Sequence, residues 1–232
     1  MYQLLDRPDP GDVVARAHRH GIRWVAAQAF EAGAMLDRDW LRELRQAATK
    51  SKIRVGVFGY VGRPHPAPVA EAKVMVEAID LIQADFAIVD AEFEYEQSND
   101  PVSKLFVDAY RARKPKLRTY LSSFGRPTFH DQMDWSAWAK AGFAAMPQAY
   151  ENVDSKNLKP LECVDDCARI FPRRSVRVTL GCYSQDAPGQ HHPHLPIPRL
   201  VQSVQEIPGI AFNVYRQGTV TEDELEALAR VH

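Results

Sequence analysis

Short apolar runs alternate with amphipathic stretches of helical period along nearly the whole chain, and this pattern limits the fold more than any other feature. Runs at 22–29, 53–60, 86–93, 117–124, 143–150, 176–183 and 210–215 read as strands. Between and around them, 11–20, 37–50, 67–83, 101–113, 134–141, 160–171, 196–206 and 221–231 read as helices. In the first helix Val13, Val14 and Ala17 share a face and Gly21 ends it. In the second, Asp37 is placed to cap, ahead of Leu41, Leu44, Ala47 and Ala48. In the last, Thr221 with Glu224 three residues on spells a capping box. Strands that each lead into a helix imply a parallel sheet with helices outside it. The expected fold is α/β, a (β/α)8 TIM barrel in a single domain spanning 1–232, with 2–5 as a short or irregular first strand. An open doubly wound sheet is the alternative, weakened because no glycine-rich phosphate loop follows the first strand. The Pro- and His-rich stretch 187–198 reads as a loop over the strand ends.

Charge and composition remove several classes of function. Twenty-nine Lys and Arg balance thirty Asp and Glu, so a basic footprint for nucleic acid is absent and no nucleic-acid partner is expected. No apolar run approaches the roughly 20 residues that a membrane helix needs, so no membrane insertion is expected. Three cysteines do not make a disulfide framework. The first residues lack a signal-peptide pattern, which gives a cytoplasmic location on synthesis as the expectation.

In a barrel of this kind chemistry sits at the C-terminal ends of the strands. There the third run continues Ile88-Val89-Asp90-Ala91-Glu92-Phe93-Glu94. Side chains alternate along a strand, so Asp90, Glu92 and Glu94 are expected to share the face of Ile88. Carboxylates crowded on an apolar strand repel each other, and at least one pKa should rise, which suits general acid–base work at neutral pH. The competing reading, a solvated strand end or carboxylates paired with arginine, weighs most on Glu94 and Glu96. Other strand ends add Gln28, Tyr60, Ser122, Ser123, Gln148, Tyr150, Tyr183, Asn213 and Tyr215. A mouth rich in Tyr, Gln and carboxylate suits a polyhydroxylated ligand, although tyrosines are also ordinary strand formers.

The segment Asp85-Phe86-Ala87-Ile88-Val89-Asp90-Ala91-Glu92 resembles the strand-four signature of family 18 chitinases, with Ile88 where that signature carries its middle aspartate. Its Asp-x-Glu end is also similar to that of family 25 lysozymes, and Met146-Pro147-Gln148-Ala149-Tyr150 resembles the strand-six region of both families. The resemblance implies a hydrolase of a β-linked N-acetylated polysaccharide, peptidoglycan or chitin-like, working without a cofactor or metal. Glu92 would be the general acid/base, Asp90 the carboxylate assisting the substrate's N-acetyl group, and Tyr150 a hydrogen-bonding partner near that group. Glu94, Tyr60, Gln148, Tyr150, Tyr183, Asn213, Tyr215 and Gln28 would bind substrate. An endolysin of phage origin, exported by a separate route, fits the same likeness.

Two other classes stay open: a non-catalytic carbohydrate-binding barrel, and a metal-dependent hydrolase using Asp90, Glu92 and one of His191, His192 or His194. Cys163, Cys167 and Cys182 read as structural thiols, and Trp135 and Trp138, three apart on a helix, read as packing residues more than as a sugar platform.

Overall fold

The structure, a computed structural model, describes residues 2–4, 7–31, 33–62, 65–97, 101–114, 116–154, 156–187, 190–215 and 219–231. In chain order the elements are β1 (Tyr2–Leu4), α1 (Pro10–Arg19), β2 (Trp24–Glu31), β3 (Ala34–Met35), α2 (Arg38–Lys50), β4 (Arg54–Val61), α3 (Pro68–Ile82) and β5 (Phe86–Ala91). They continue with α4 (Phe93–Glu96), α5 (Val102–Arg111), β6 (Thr119–Phe124), α6 (Trp135–Lys140), β7 (Ala144–Ala149), α7 (Pro160–Cys167) and β8 (Val178–Gly181). The last are β9 (Gln185–Ala187), β10 (Gln190–His192), α8 (Ile197–Gln205), β11 (Phe212–Tyr215) and α9 (Glu222–Ala229).

The main sheet runs β1-β11-β8-β7-β6-β5-β4-β2-β3, and β1 also pairs with β2. The parallel sheet therefore closes on itself through β1: Tyr2 is in register with Val214 on one side and Val25 on the other. The segment 2–5 does supply the eighth strand as far as Leu4, while Leu5 lies outside the described residues. β3 is a two-residue antiparallel hook on β2, added to the barrel.

Alternation along the strands sorts the side chains into two compartments. One phase packs Ala26, Phe58, Phe86, Ile88, Tyr120, Ala144 and Met146 inside the barrel. The other packs outward under the helices, as with Val57, Val89 and Leu121 against Val76, Ile79 and Phe106. Gly56 and Gly59 are needed here, because a Cβ at either would lie within 2.5 Å of the rings of Phe86 and Phe30 respectively.

The helix ends follow the local sequence. Asp37 accepts from the Trp40 N–H at 3.1 Å, and Thr221 and Glu224 form the reciprocal capping box. Three expectations need correction. The third strand stops at Ala91, because Glu92, with φ −131° and ψ −133°, turns the chain into the one-turn helix α4. The stretch 187–198 is not wholly irregular, since β10 pairs antiparallel with β9 as a small hairpin. The mouth position assigned to Asn213 is not found: it is 1% exposed, one inward step below Tyr215, in register with Thr179.

Candidate active site

Asp90 is the last inward-facing residue of β5, directly above Ile88. Its neighbours in register are Tyr60 on β4 and Ser122 on β6. From β7 the Gln148 Nε2 donates to Asp90 Oδ1 at 2.9 Å and to Glu92 Oε1 at 2.6 Å, and stands 3.2 Å from Ser122 Oγ. Two carboxylates facing one end of the amide fix that end as its nitrogen. One side chain thus ties the ends of β5, β6 and β7 into a single polar cluster.

Burial pushes the Asp90 carboxyl well above the usual range, and the neighbouring Glu92 charge pushes it further. Hydrogen bonds from Ser122 and Gln148 act in the opposite direction, and an Asp90–Glu92 hydrogen bond again favours the protonated form. Like charges at contact distance cannot both be ionised cheaply, so the pair favours holding a proton between its two carboxyls. The pKa rise expected from the sequence is present, and it falls on Asp90.

Glu94 reaches the mouth by a different route from the one expected. It rides on α4, not on an extended strand, and accepts from the Tyr60 hydroxyl at 2.6 Å. Gly62, at φ +107°, lets α4 close in, since a Cβ there would lie 2.7 Å from Glu94 Cβ.

Tyr150, Tyr183 and Tyr215, from the ends of β7, β8 and β11, form one aromatic cluster. Tyr150 stacks on Tyr215 with centroids 5.7 Å apart, and Tyr183 meets both edge-on at 5.5 and 5.4 Å. Gly181 permits this approach, because a Cβ there would lie 3.2–3.3 Å from the Tyr183 and Tyr150 rings. Burial, then the Asp90 charge, raises the Tyr150 hydroxyl, so it remains a neutral donor. Gln28 makes no hydrogen bond to Asp90 or Glu92 among the described residues; its side-chain Nε2 donates to Glu31 Oε2 at 3.4 Å, and its backbone carbonyl accepts from Arg7.

Sequence reasoning missed several supports. Glu151, directly after Tyr150, is buried and paired with Arg199, and Ser203 Oγ donates to it at 2.6 Å. Glu71 accepts from the Gly62 N–H at 2.6 Å and from the Tyr95 hydroxyl at 2.7 Å, while burial raises its pKa. Phe93 and Phe129, at the same end of the barrel, are 55% and 56% exposed. An aromatic residue placed directly after the Asp-x-Glu run is the signal that could have identified Phe93.

Among the described residues no group of three or more His, Cys, Asp or Glu could hold a metal ion. His194 Nδ1 lies 2.9 Å from Glu224 Oε1, the carboxylate of the α9 capping box, which occupies it structurally. The His191 side chain lies outside the described residues. Cys163, Cys167 and Cys182 are buried free thiols, and burial raises the Cys163 thiol to about 12. Trp135 and Trp138 are both buried, the second among Tyr95, Phe106 and Phe143.

No family model and no curated protein matches the chain. Solved structures do. A class V chitinase from Pseudomonas fluorescens Pf-5 superposes with a TM-score of 0.76 at 10% identity, covering 99% of this chain and 98% of that one. Active domain 2 of the thermostable chitinase from Pyrococcus furiosus, solved as catalytic-site mutants complexed with chito-oligosaccharides, gives 0.67 at 14% identity over 98% and 91% of the two chains. The spore cortex-lytic enzyme SleL of Bacillus megaterium QM B1551 gives 0.69 at 9% identity over 95% and 69%. The chain has a TIM-barrel fold, which it shares with these solved structures.

Proposed function

We propose that this protein is a glycoside hydrolase that cleaves a β-linked N-acetylated polysaccharide of the peptidoglycan or chitin type, with Glu92 as general acid/base and Asp90 as the assisting carboxylate. The observation that carries the proposal is the pair of buried Asp90 and half-buried Glu92, held by one Gln148 amide at 2.9 and 2.6 Å. The solved structures above, which include two chitinases and a spore cortex-lytic enzyme, favour the same substrate class.

The proton shared by the pair gives the chemistry its order. In the free protein burial favours the proton on Asp90. An acetamido N–H arriving beside Asp90 favours its ionised form, so the proton moves to Glu92. Glu92 then delivers it to the leaving glycosidic oxygen while the acetamido oxygen attacks the anomeric carbon, held in place by ionised Asp90. Water returns the proton through Glu92, now the base, as the intermediate opens. The neutral Tyr150 hydroxyl donates to the acetamido oxygen, and Tyr183 and Tyr215 keep its ring upright. Phe93 and Phe129 offer faces on which neighbouring sugar rings stack.

A second reading, a carbohydrate-binding barrel without turnover, is favoured by one observation. Ile88, fully buried among Phe58, Phe86 and Tyr120, leaves Asp90 without a carboxylate beneath it. Reducing-sugar release from purified cell walls and from chitin oligomers separates the two. Hydrolysis by the wild-type protein, lost by a factor of about 10² or more in Glu92→Gln with sugar binding retained, supports the enzyme. Sugar binding without hydrolysis by the wild-type protein supports the binding barrel, and full turnover by Glu92→Gln removes the role assigned to Glu92.

A further inference from the structure

The end of the barrel opposite Asp90 and Glu92 holds a cavity of about 310 Å³. Arg23, Arg54, Arg118 and Arg177 line it, with Trp24 and Tyr120 in its wall. Their positions follow from the strand pattern. Arg54 continues the inward series Gly56-Phe58-Tyr60 at the start of β4. Arg118 precedes Tyr120 and Ser122 in the same way on β6, and Arg177 precedes Thr179 on β8. Three alternate strands of the barrel thus each put an arginine at its lower rim, Arg54 and Arg118 exposed and Arg177 half-buried.

Among the described residues none of the four arginines is paired with a carboxylate; Arg177 is held by the Arg174 and Val176 carbonyls, and Arg118 lies over the Tyr120 ring at 5.4 Å. The nearby acids are engaged elsewhere: Asp85 by Arg45 and the Val55 N–H, and Glu222 by Arg16 and His20. Trp24 and Tyr120 lie nearly parallel, 18° apart with centroids at 6.1 Å, and Phe86 closes edge-on against both. Leu225, Leu228 and Ala229 of α9 complete the lining.

The geometry points to a binding site for a small phosphate-bearing ligand with a flat aromatic ring, of the nucleoside mono- or diphosphate class. Guanidinium forks match phosphate oxygens in shape and charge, and the half-buried Trp24 indole in the wall offers a planar ring a partner. The volume lies at the small end of the range for ligand pockets. This site is independent of the carboxylates at the other end.

Calorimetric titration of the full chain with ADP, adenosine and inorganic pyrophosphate, at low and high salt, tests it. Saturable ADP binding that weakens with salt, and at least tenfold in an Arg54→Gln/Arg118→Gln variant with an unchanged melting profile, is the expected result. Trp24→Leu should weaken ADP while leaving pyrophosphate unchanged, which locates the ring. Polysaccharide binding or hydrolysis should be the same in the double variant. No saturable heat with ADP or pyrophosphate at millimolar concentration, equal ADP binding by the double variant, or adenosine binding as tightly as ADP would each overturn the proposal.

Discussion

Gln148 does a job that its residue type alone does not announce. Its amide donates to both members of the carboxylate pair, and those bonds favour ionisation. Gln148→Leu removes that support, so the pair should hold its proton to higher pH. The alkaline limb of kcat/KM moves up in pH, with a drop in rate of about tenfold or more from the disordered carboxylates, measured as a full pH–rate profile. Asp90 carries the complementary cost. Its folded-state pKa lies above its unfolded one, so its contribution to stability is whole below the ordinary aspartate range and falls away as pH rises from that range through the folded value. Asp90→Asn removes this dependence. At neutral pH it should stabilise the protein by about 1 kcal/mol, or about 3 °C in Tm by calorimetry, while removing activity. The carboxylates could be read from the sequence because acids directly after four apolar residues are conspicuous. Gln148 was legible as a residue of the mouth, but its bridging of the two carboxylates was not, because those partners lie 58 and 56 positions away.

At the scale of elements, the turns leaving the strands are where reading from period two fails. Extending β5 through Glu94 assumes continued alternation, but α4 begins at Phe93 and delivers Glu94 to Tyr60 instead. The close approach of α4 rests on Gly62. Gly62→Ala places a Cβ against Glu94 and forces a positive φ on alanine, which should destabilise the protein by about 1–3 kcal/mol in denaturant melts. The turn after β7 is fixed by Glu151, held by Arg199 and Ser203 on α8. Glu151→Ala leaves Arg199 with Glu206 as its remaining carboxylate partner and Ser203 with the Arg199 carbonyl as its remaining acceptor. It should cost about 3 kcal/mol and loosen Tyr150, seen as a raised KM for the sugar before kcat changes. Helix starts were legible where a cap residue is specific, as at Asp37 and Thr221. The support at Glu151 was not, because its partners lie 48 and 52 residues on.

Across the whole molecule, three residues complete the closure. Tyr2, Gln3 and Leu4 pair with Val25, Ala26 and Ala27, and Tyr2 also with Val214. Removing residues 1–5 should expose the edges of β2 and β11. Association through those edges, measured by light scattering, and a broadened thermal transition are the expected outcomes. The fold class was legible because alternation is local and repeats along the chain. Which residues face the barrel interior was legible too, since phase fixes it, whereas the emptiness of one end and the filling of the other depend on side-chain volumes meeting across eight strands.

The packed middle of the barrel separates two very different mouths. Between the carboxylates above and the guanidiniums below stand Phe58, Phe86, Ile88, Tyr120 and Met146, with no ionisable carboxylate or amine among them. That layer is mostly apolar, with Thr179 and Asn213 as buried polar members on β8 and β11. Where both proposed sites are occupied, substitutions that remove the ligand of one opening should leave the lining of the other in place, since the packed layer lies between them.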